Sequence, residues 1–194
     1  MKTKITQKPS LGLNQLILIF ILVTLAFASA CQIEPDTDVE DIQVYFTRSN
    51  PGDESDGCDL QLVSLFNNAK SEINCAVYSF NRPNIAEALV NARKRGVTVR
   101  IILDSSQANS ASNSARTKFL EENIEQLKII TLPGIANMHH KFAVIDRKIV
   151  VTGSYNWTAN ATNNSDENMI VITSKSLAQE YNREFNKIWQ HTSQ

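Results

Sequence analysis

Several things this sequence has little of bound what it can do. Its three cysteines form no CxxC pair, so zinc-site spacing is excluded. Lysine and arginine total 19 against 20 acidic residues, a formal charge of −1, which excludes a polybasic nucleic-acid binder. Any phosphate it handles must be held by a local site and not by a broad positive field. The apolar run Leu16 to Ala28 is shorter than the roughly 20 residues a bilayer-spanning helix needs. There is no internal repeat, and of only three histidines two are adjacent, so the chain carries one histidine cluster and no second copy.

The N-terminus has the order of a secretory signal: Lys2, Lys4 and Lys8, the apolar run, then "ASAC" at 28–31. Ala28-x-Ala30 suits an ordinary signal peptidase, while small residues directly before Cys31 resemble a bacterial lipobox, in which that cysteine is lipidated and becomes the first mature residue. Residues 1–30 are therefore expected to be removed. That takes away three lysines and no acid, moving the formal charge from −1 to −4. Residues 31–40 are polar and acidic and read as a tether, and 41–194 as one domain with its own core. The expected location is outside the cytoplasm, periplasmic or membrane-anchored through lipidated Cys31. Export would place Cys58 and Cys75 where disulfides persist, so a bridge between them stays open. The alternative is that Cys75, inside "INCAVYSF", is a core strand residue.

Apolar periodicity divides the mature region regularly. Residues 42–46 read as a strand, and 50–57 as a loop rich in turn formers. "CDLQLVSLFNNAK" sets Leu62, Leu65, Phe66 and Ala69 at helical spacing, and 72–80 read as a doubly covered strand. Pro83 opens a helix with the stripe Ile85, Ala88, Leu89 and Ala92, and Gly96 stops it. A strand at 97–104, a Ser/Asn-rich segment, a helix near 115–122 and a short strand at "LKIITL" follow. The last third reads strand, turn, strand, loop, strand (168–173), then a closing helix with Leu177, Tyr181, Phe185, Ile188 and Trp189 on one face. This alternation predicts an α/β domain, a layered mixed sheet flanked by helices.

The chemistry concentrates in "MHHKFAVIDRKIVVTGSYNW", residues 138–157. Strand side chains alternate, so His139 and Lys141 share one face and His140 takes the other. Asp146 sits in the hairpin, where it is expected to accept local backbone hydrogen bonds and fix the turn. Gly153 permits close backbone approach, and Ser154 and Asn156 again share a face. A hydroxyl, an amide, an imidazole and an ammonium converging on one point make a cradle for phosphate. Glu167, at the start of the next strand, can orient the imidazole.

His139-x-Lys141, four residues, Asp146, six residues and Gly153-Ser154-x-Asn156 resemble the HxKxxxxD…GSxN signature of the phospholipase D superfamily. "AVYSFNRPNIAEALVNARKRGVTVRIILD" resembles its strand-helix-strand opening. The whole mature region is similar to the small single-motif members, the bacterial periplasmic endonuclease and mitochondrial cardiolipin hydrolase among them. The resemblance implies the phospholipase D/nuclease-like fold and phosphodiester cleavage through a phosphohistidine. One histidine attacks phosphorus, and a second protonates the leaving oxygen and then activates water. One motif supplies one such imidazole, His140 faces away and His191 lies outside any motif, so a twofold homodimer sharing its active site is expected.

In that scheme His139 is nucleophile in one subunit and acid in the other, with Glu167 orienting it and favouring its charged form. Lys141 and Asn156 bind the phosphate oxygens, Ser154 bonds Glu167 or the phosphate, and no metal or other cofactor is called for because lysine supplies the positive charge. Two substrates fit. Nucleic acid is favoured by small size and by Arg93, Lys94 and Arg95, a trio that equally suits a solvated helix end. Phospholipid is favoured by the possible lipid anchor. Tyr155 and Trp157 could stack a base, touch an acyl chain or simply pack. A reading of another class is a catalytically silent extracytoplasmic binding module; its mark would be loss of the histidine, lysine or late glutamate, and all three are present.

Overall fold

The computed structural model describes residues 38–47, 57–132 and 136–190. The expected signal segment and Cys31, most of the tether, loop residues 50–56 and His191 lie outside the described residues. Within them, the alternating patterns resolve into β1 (Asp41–Phe46), α1 (Cys58–Asn68), β2 (Glu72–Val77), α2 (Pro83–Lys94), β3 (Thr98–Asp104), α3 (Ser105–Ala108) and α4 (Ser114–Asn123). β4 (Gln126–Ile130), β5 (Lys141–Ile145), β6 (Ile149–Gly153), α5 (Ala159–Asn164), β7 (Asn168–Thr173) and α6 (Lys175–Gln190) follow.

The strands form one seven-stranded sheet in the order β1-β7-β6-β5-β2-β3-β4. β2, β3 and β4 run parallel, and β5, β6, β7 and β1 continue antiparallel. This is the mixed, helix-flanked sheet that the alternation predicts. Alternate residues serve two cores. Cys75, Val77, Ile101, Leu103, Ala143 and Ile145 pack on one face with Leu62 and Phe66 of α1, Ile85 and Leu89 of α2 and Leu120 of α4. Ala76, Ile102, Phe142, Val144 and Val150 pack on the other with Ala178, Phe185 and Ile188 of α6. The face assigned to core in the closing helix is the one that is buried, and a fully buried Phe185 contributes about 1.5–3 kcal/mol.

α6 does not cover the whole sheet. On edge strand β1, Ile42, Val44 and Phe46 stay 56, 52 and 57 % exposed. Val44 pairs with Ile170, which itself pairs with Thr152, two residues beyond the α6-side core residue Val150, so this row lies on the α6 side of the sheet.

Two short helices depart from the sequence reading, which took 105–113 only as a polar segment and 158–166 as a loop. α3 is capped by Asp104, whose carboxylate accepts the Ser106 N–H at 2.9 Å, and α5 by Thr158, whose hydroxyl accepts the Ala161 N–H at 3.1 Å. Segments of four and six residues, polar apart from their alanines, carry no apolar period; the caps and the packing around them make these turns helical. The optional disulfide is absent: Cys58 and Cys75 are free and buried. Burial, with the Asp59 charge adding, pushes Cys58 up to about 11, and burial also raises Cys75, so neither is a reactive thiol.

Candidate active site

Three antiparallel strands bring the HxK and GSxN segments together. Lys141 opens β5 opposite Val77, Gly153 closes β6 opposite Met169, and Asn168 opens β7. The site is thus built at one end of β5, β6 and β7. Gly153 is required there by close approach: with φ +148°, an added Cβ would lie 2.3 Å from the Asn168 carbonyl oxygen. Gly153→Ala must push β7 away beside Glu167. Its expected result is a loss of about 1–3 kcal/mol of stability together with reduced activity. Thermal unfolding and turnover of the variant check this, and wild-type behaviour in both would defeat the assignment.

His139 and Lys141 share a face as alternation demands. The Lys141 Nζ donates to the His139 carbonyl at 2.8 Å and lies 3.1 Å from Nδ1 and 3.3 Å from Nε2 of its ring. His139 is exposed and Lys141 half-buried. Partial burial pulls the Lys141 ammonium below its ordinary value, opposed by the charge of Glu167. His140 turns the other way, 3.7 Å from the Glu184 carboxylate of α6 and edge-on to Phe142. Burial lowers its pKa, with Glu184 opposing.

Glu167 is held differently from the expectation. Its carboxylate accepts the Ser154 hydroxyl, not His139, and its N–H is bonded to the Thr47 hydroxyl at 2.8 Å. Of the two partners expected for Ser154, the structure thus shows Glu167. Asn156 is half-buried, and its Oδ1 is buried without a hydrogen-bond partner, an acceptor left unsatisfied within one chain.

Asp146 lies at the opposite end of the hairpin. With Arg147 it occupies positive φ (52° and 56°), as the two central residues of a primed turn do, here closed by the Lys148 N–H donating to the Ile145 carbonyl at 3.1 Å. Its carboxylate does not bond the local backbone as expected, but reaches the segment before β2. It accepts the N–H groups of Lys70 at 2.9 Å, Ser71 at 2.7 Å and Glu72 at 3.2 Å, and the Ser71 hydroxyl at 2.9 Å.

Other candidates are structural. Tyr155 and Trp157 are buried, the first bonded to Thr162 at 2.6 Å and the second packed on Phe66 and Phe80, so they stack no base and touch no acyl chain. The basic trio sits where β3 begins, at the far end of the sheet from His139. Arg93 pairs with Glu125, and Arg95 donates to the Phe66 carbonyl at 2.8 Å. A contact with no sequence signal joins the site from β2's end: the Tyr78 ring lies 4.4 Å from the His139 ring and 5.1 Å from Lys141 Nζ, centre to centre or to Nζ. A cavity of about 390 Å³ beside His139 and Lys141 is walled by Phe142, Tyr181, Glu180 and Glu184.

Residues 62–189 match the family model described as the cardiolipin synthase, PLD-like domain. The chain belongs to the phospholipase D superfamily. A mitochondrial cardiolipin hydrolase from Xenopus tropicalis is 32 % identical over 150 residues, 73 % of this chain and 66 % of that one. A phospholipase D from Rickettsia prowazekii is 38 % identical over 125 residues, 64 % of this chain and 59 % of that one. The chain therefore spans 59 to 66 % of the length of these relatives. Among solved structures, Nuc from Salmonella typhimurium, a phospholipase D family member, superposes with a TM-score of 0.67 at 27 % identity, covering 77 % of this chain and 94 % of that one. NucT from Helicobacter pylori, at 23 % identity and TM-score 0.62, shares the superfamily fold.

Proposed function

We propose that this chain is an exported, metal-independent phosphodiesterase that works as a homodimer through a phosphohistidine on His139, with a nucleic-acid strand as substrate. The observation that carries the reading is the gathering of the His139–Lys141 pair and the Ser154–Glu167 pair, with Asn156, at one end of three adjacent strands. His139 of one subunit attacks phosphorus and His139 of the other protonates the leaving oxygen, then activates water. Lys141 and Asn156 meet the non-bridging oxygens, where fixed donors stabilise developing charge. Glu167, held by Ser154, contributes a negative charge that favours the Lys141 ammonium.

Three features support the homodimer. Among the described residues one imidazole stands on the catalytic face, the Asn156 acceptor is unsatisfied, and the exposed row of β1 is apolar surface of the kind a second subunit covers. Its last member, Phe46, pairs with Asn168 beside Glu167. When wild type and His139→Ala are mixed and allowed to exchange subunits, activity is expected to follow the square of the wild-type fraction, about a quarter at equal mixing. A linear dependence would show that each subunit acts alone.

Exposure of His139 at strand ends favours a polymer, which can run past an open site in both directions. Neither the basic trio nor Tyr155 and Trp157 adds to that choice. Phospholipid head-group hydrolysis is the second reading, favoured by the adjacent cavity. Its aromatic wall and two carboxylates suit an alkylammonium group beside the phosphate. The protein, in a chelator, is to be offered single-stranded DNA, RNA and phosphatidylcholine vesicles. Strand cleavage that disappears in His139→Ala supports the proposal, choline release alone moves it to lipid, and silence on all three returns the binding module.

A further inference from the structure

The geometry points to Tyr78 as the positioning residue of His139, locked in place by the β3–α3 junction. This inference rests on the reading of His139 as the reacting imidazole. His139 is exposed and precedes the β5 ladder, so no flanking strand pair fixes it. Among the described residues its side chain meets Lys141 and the Tyr78 ring, which stands 4.4 Å away and inclined by 51°.

Tyr78 is itself fixed on two sides. Its N–H donates to the His140 carbonyl at 2.8 Å, one residue past the β2–β5 ladder, so the ring is carried to His139 by the register of the sheet. Its hydroxyl accepts from Gln107 Nε2 at 3.1 Å. Gln107 belongs to α3, and its carbonyl accepts from the Asn113 amide at 3.1 Å, which also donates to Ser79 at 3.0 Å.

The same junction holds the backbone before His139. Buried Asp104 accepts the Ser106 N–H with one oxygen and, with the other, the Met138 N–H at 2.9 Å. One carboxylate therefore caps α3 and pins the residue next to the imidazole, while α3 returns Gln107 to the tyrosine that walls it. A single ring also lies near Lys141 Nζ, so it sets the relation between imidazole and ammonium. Orientation of a reacting group within tenths of an ångström is what such a wall supplies.

The test compares Tyr78→Leu and Tyr78→Phe with wild type on bis(4-nitrophenyl) phosphate, together with the NMR position of the His139 Cε1–H resonance, assigned through His139→Ala. Tyr78→Leu is expected to lower kcat by about 10- to 100-fold with KM within about twofold, and to move the His139 resonance as the ring current is lost. Tyr78→Phe keeps the ring and is expected to retain most of both. An unmoved resonance or undiminished kcat in Tyr78→Leu overturns the inference, as does an equal loss in Tyr78→Phe. Turnover by His139→Ala would instead overturn the reading of the site, and the resonance then judges the positioning without reference to catalysis.

Discussion

His139→Ala is expected to lower phosphodiester cleavage by about 10³-fold or more while leaving the fold intact. The side chain is exposed, so its removal leaves no cavity and little stability changes. In the proposed homodimer the large effect arises because one position would serve twice across the twofold axis, as nucleophile and as acid. Lys141→Met is expected to cost less, about 10²-fold, because in the proposed site Asn156 would still meet the phosphate. Acid quenching of wild type during turnover, followed by phosphohistidine detection, checks the intermediate. Turnover by His139→Ala near the wild-type rate would defeat both the nucleophile and the acid assignments.

Asp146→Ala is expected to destabilise the protein by about 3 kcal/mol and to lower Tm by about 6–12 °C, without any direct contact with the active site. The carboxylate meets three backbone N–H groups and a hydroxyl, and removal leaves these donors facing a half-buried gap. Partial burial pushes its pKa up, but the Ser71 and Lys70 N–H groups, the Ser71 hydroxyl and the Glu72 N–H outweigh that and hold the carboxyl below its ordinary value. The stabilisation is therefore complete above the unfolded carboxyl value of about 3.9 and fades as pH falls through the lower folded value. Thermal melts of wild type and Asp146→Asn should show a gap at pH 7 that narrows toward pH 3. A gap that stayed constant would mean that the charge plays no part.

Much of the architecture was legible because strands and long helices write their period into the chain. The β/α succession, the α6 core face and the opposed faces of His139 and His140 all follow from alternation that burial enforces. The motif spacing was equally legible, since Lys141, Gly153 and Asn168 sit at fixed offsets along neighbouring strands. Alternation names a face without saying whether solvent or protein covers it. That is why Tyr155 and Trp157 were open to a binding role and prove to be packing. α3 and α5 were illegible for another reason: their polar residues carry no apolar stripe, and caps decide them.

The sequence by itself determined the mixed α/β layering and the residues available for phosphate chemistry, because both depend on local period and residue type. Only the tertiary structure decided the partners that residues distant along the chain provide. It placed Glu167 on Ser154, carried Asp146 to the segment before β2, and stood Tyr78 against His139. The hydrogen bonds among these contacts span 13 to 76 residues, and Tyr78 meets His139 through the β2–β5 register. Period is a property of neighbours in the chain; such contacts are set by which strands pair and in what register, and that is settled by the burial of the whole sheet.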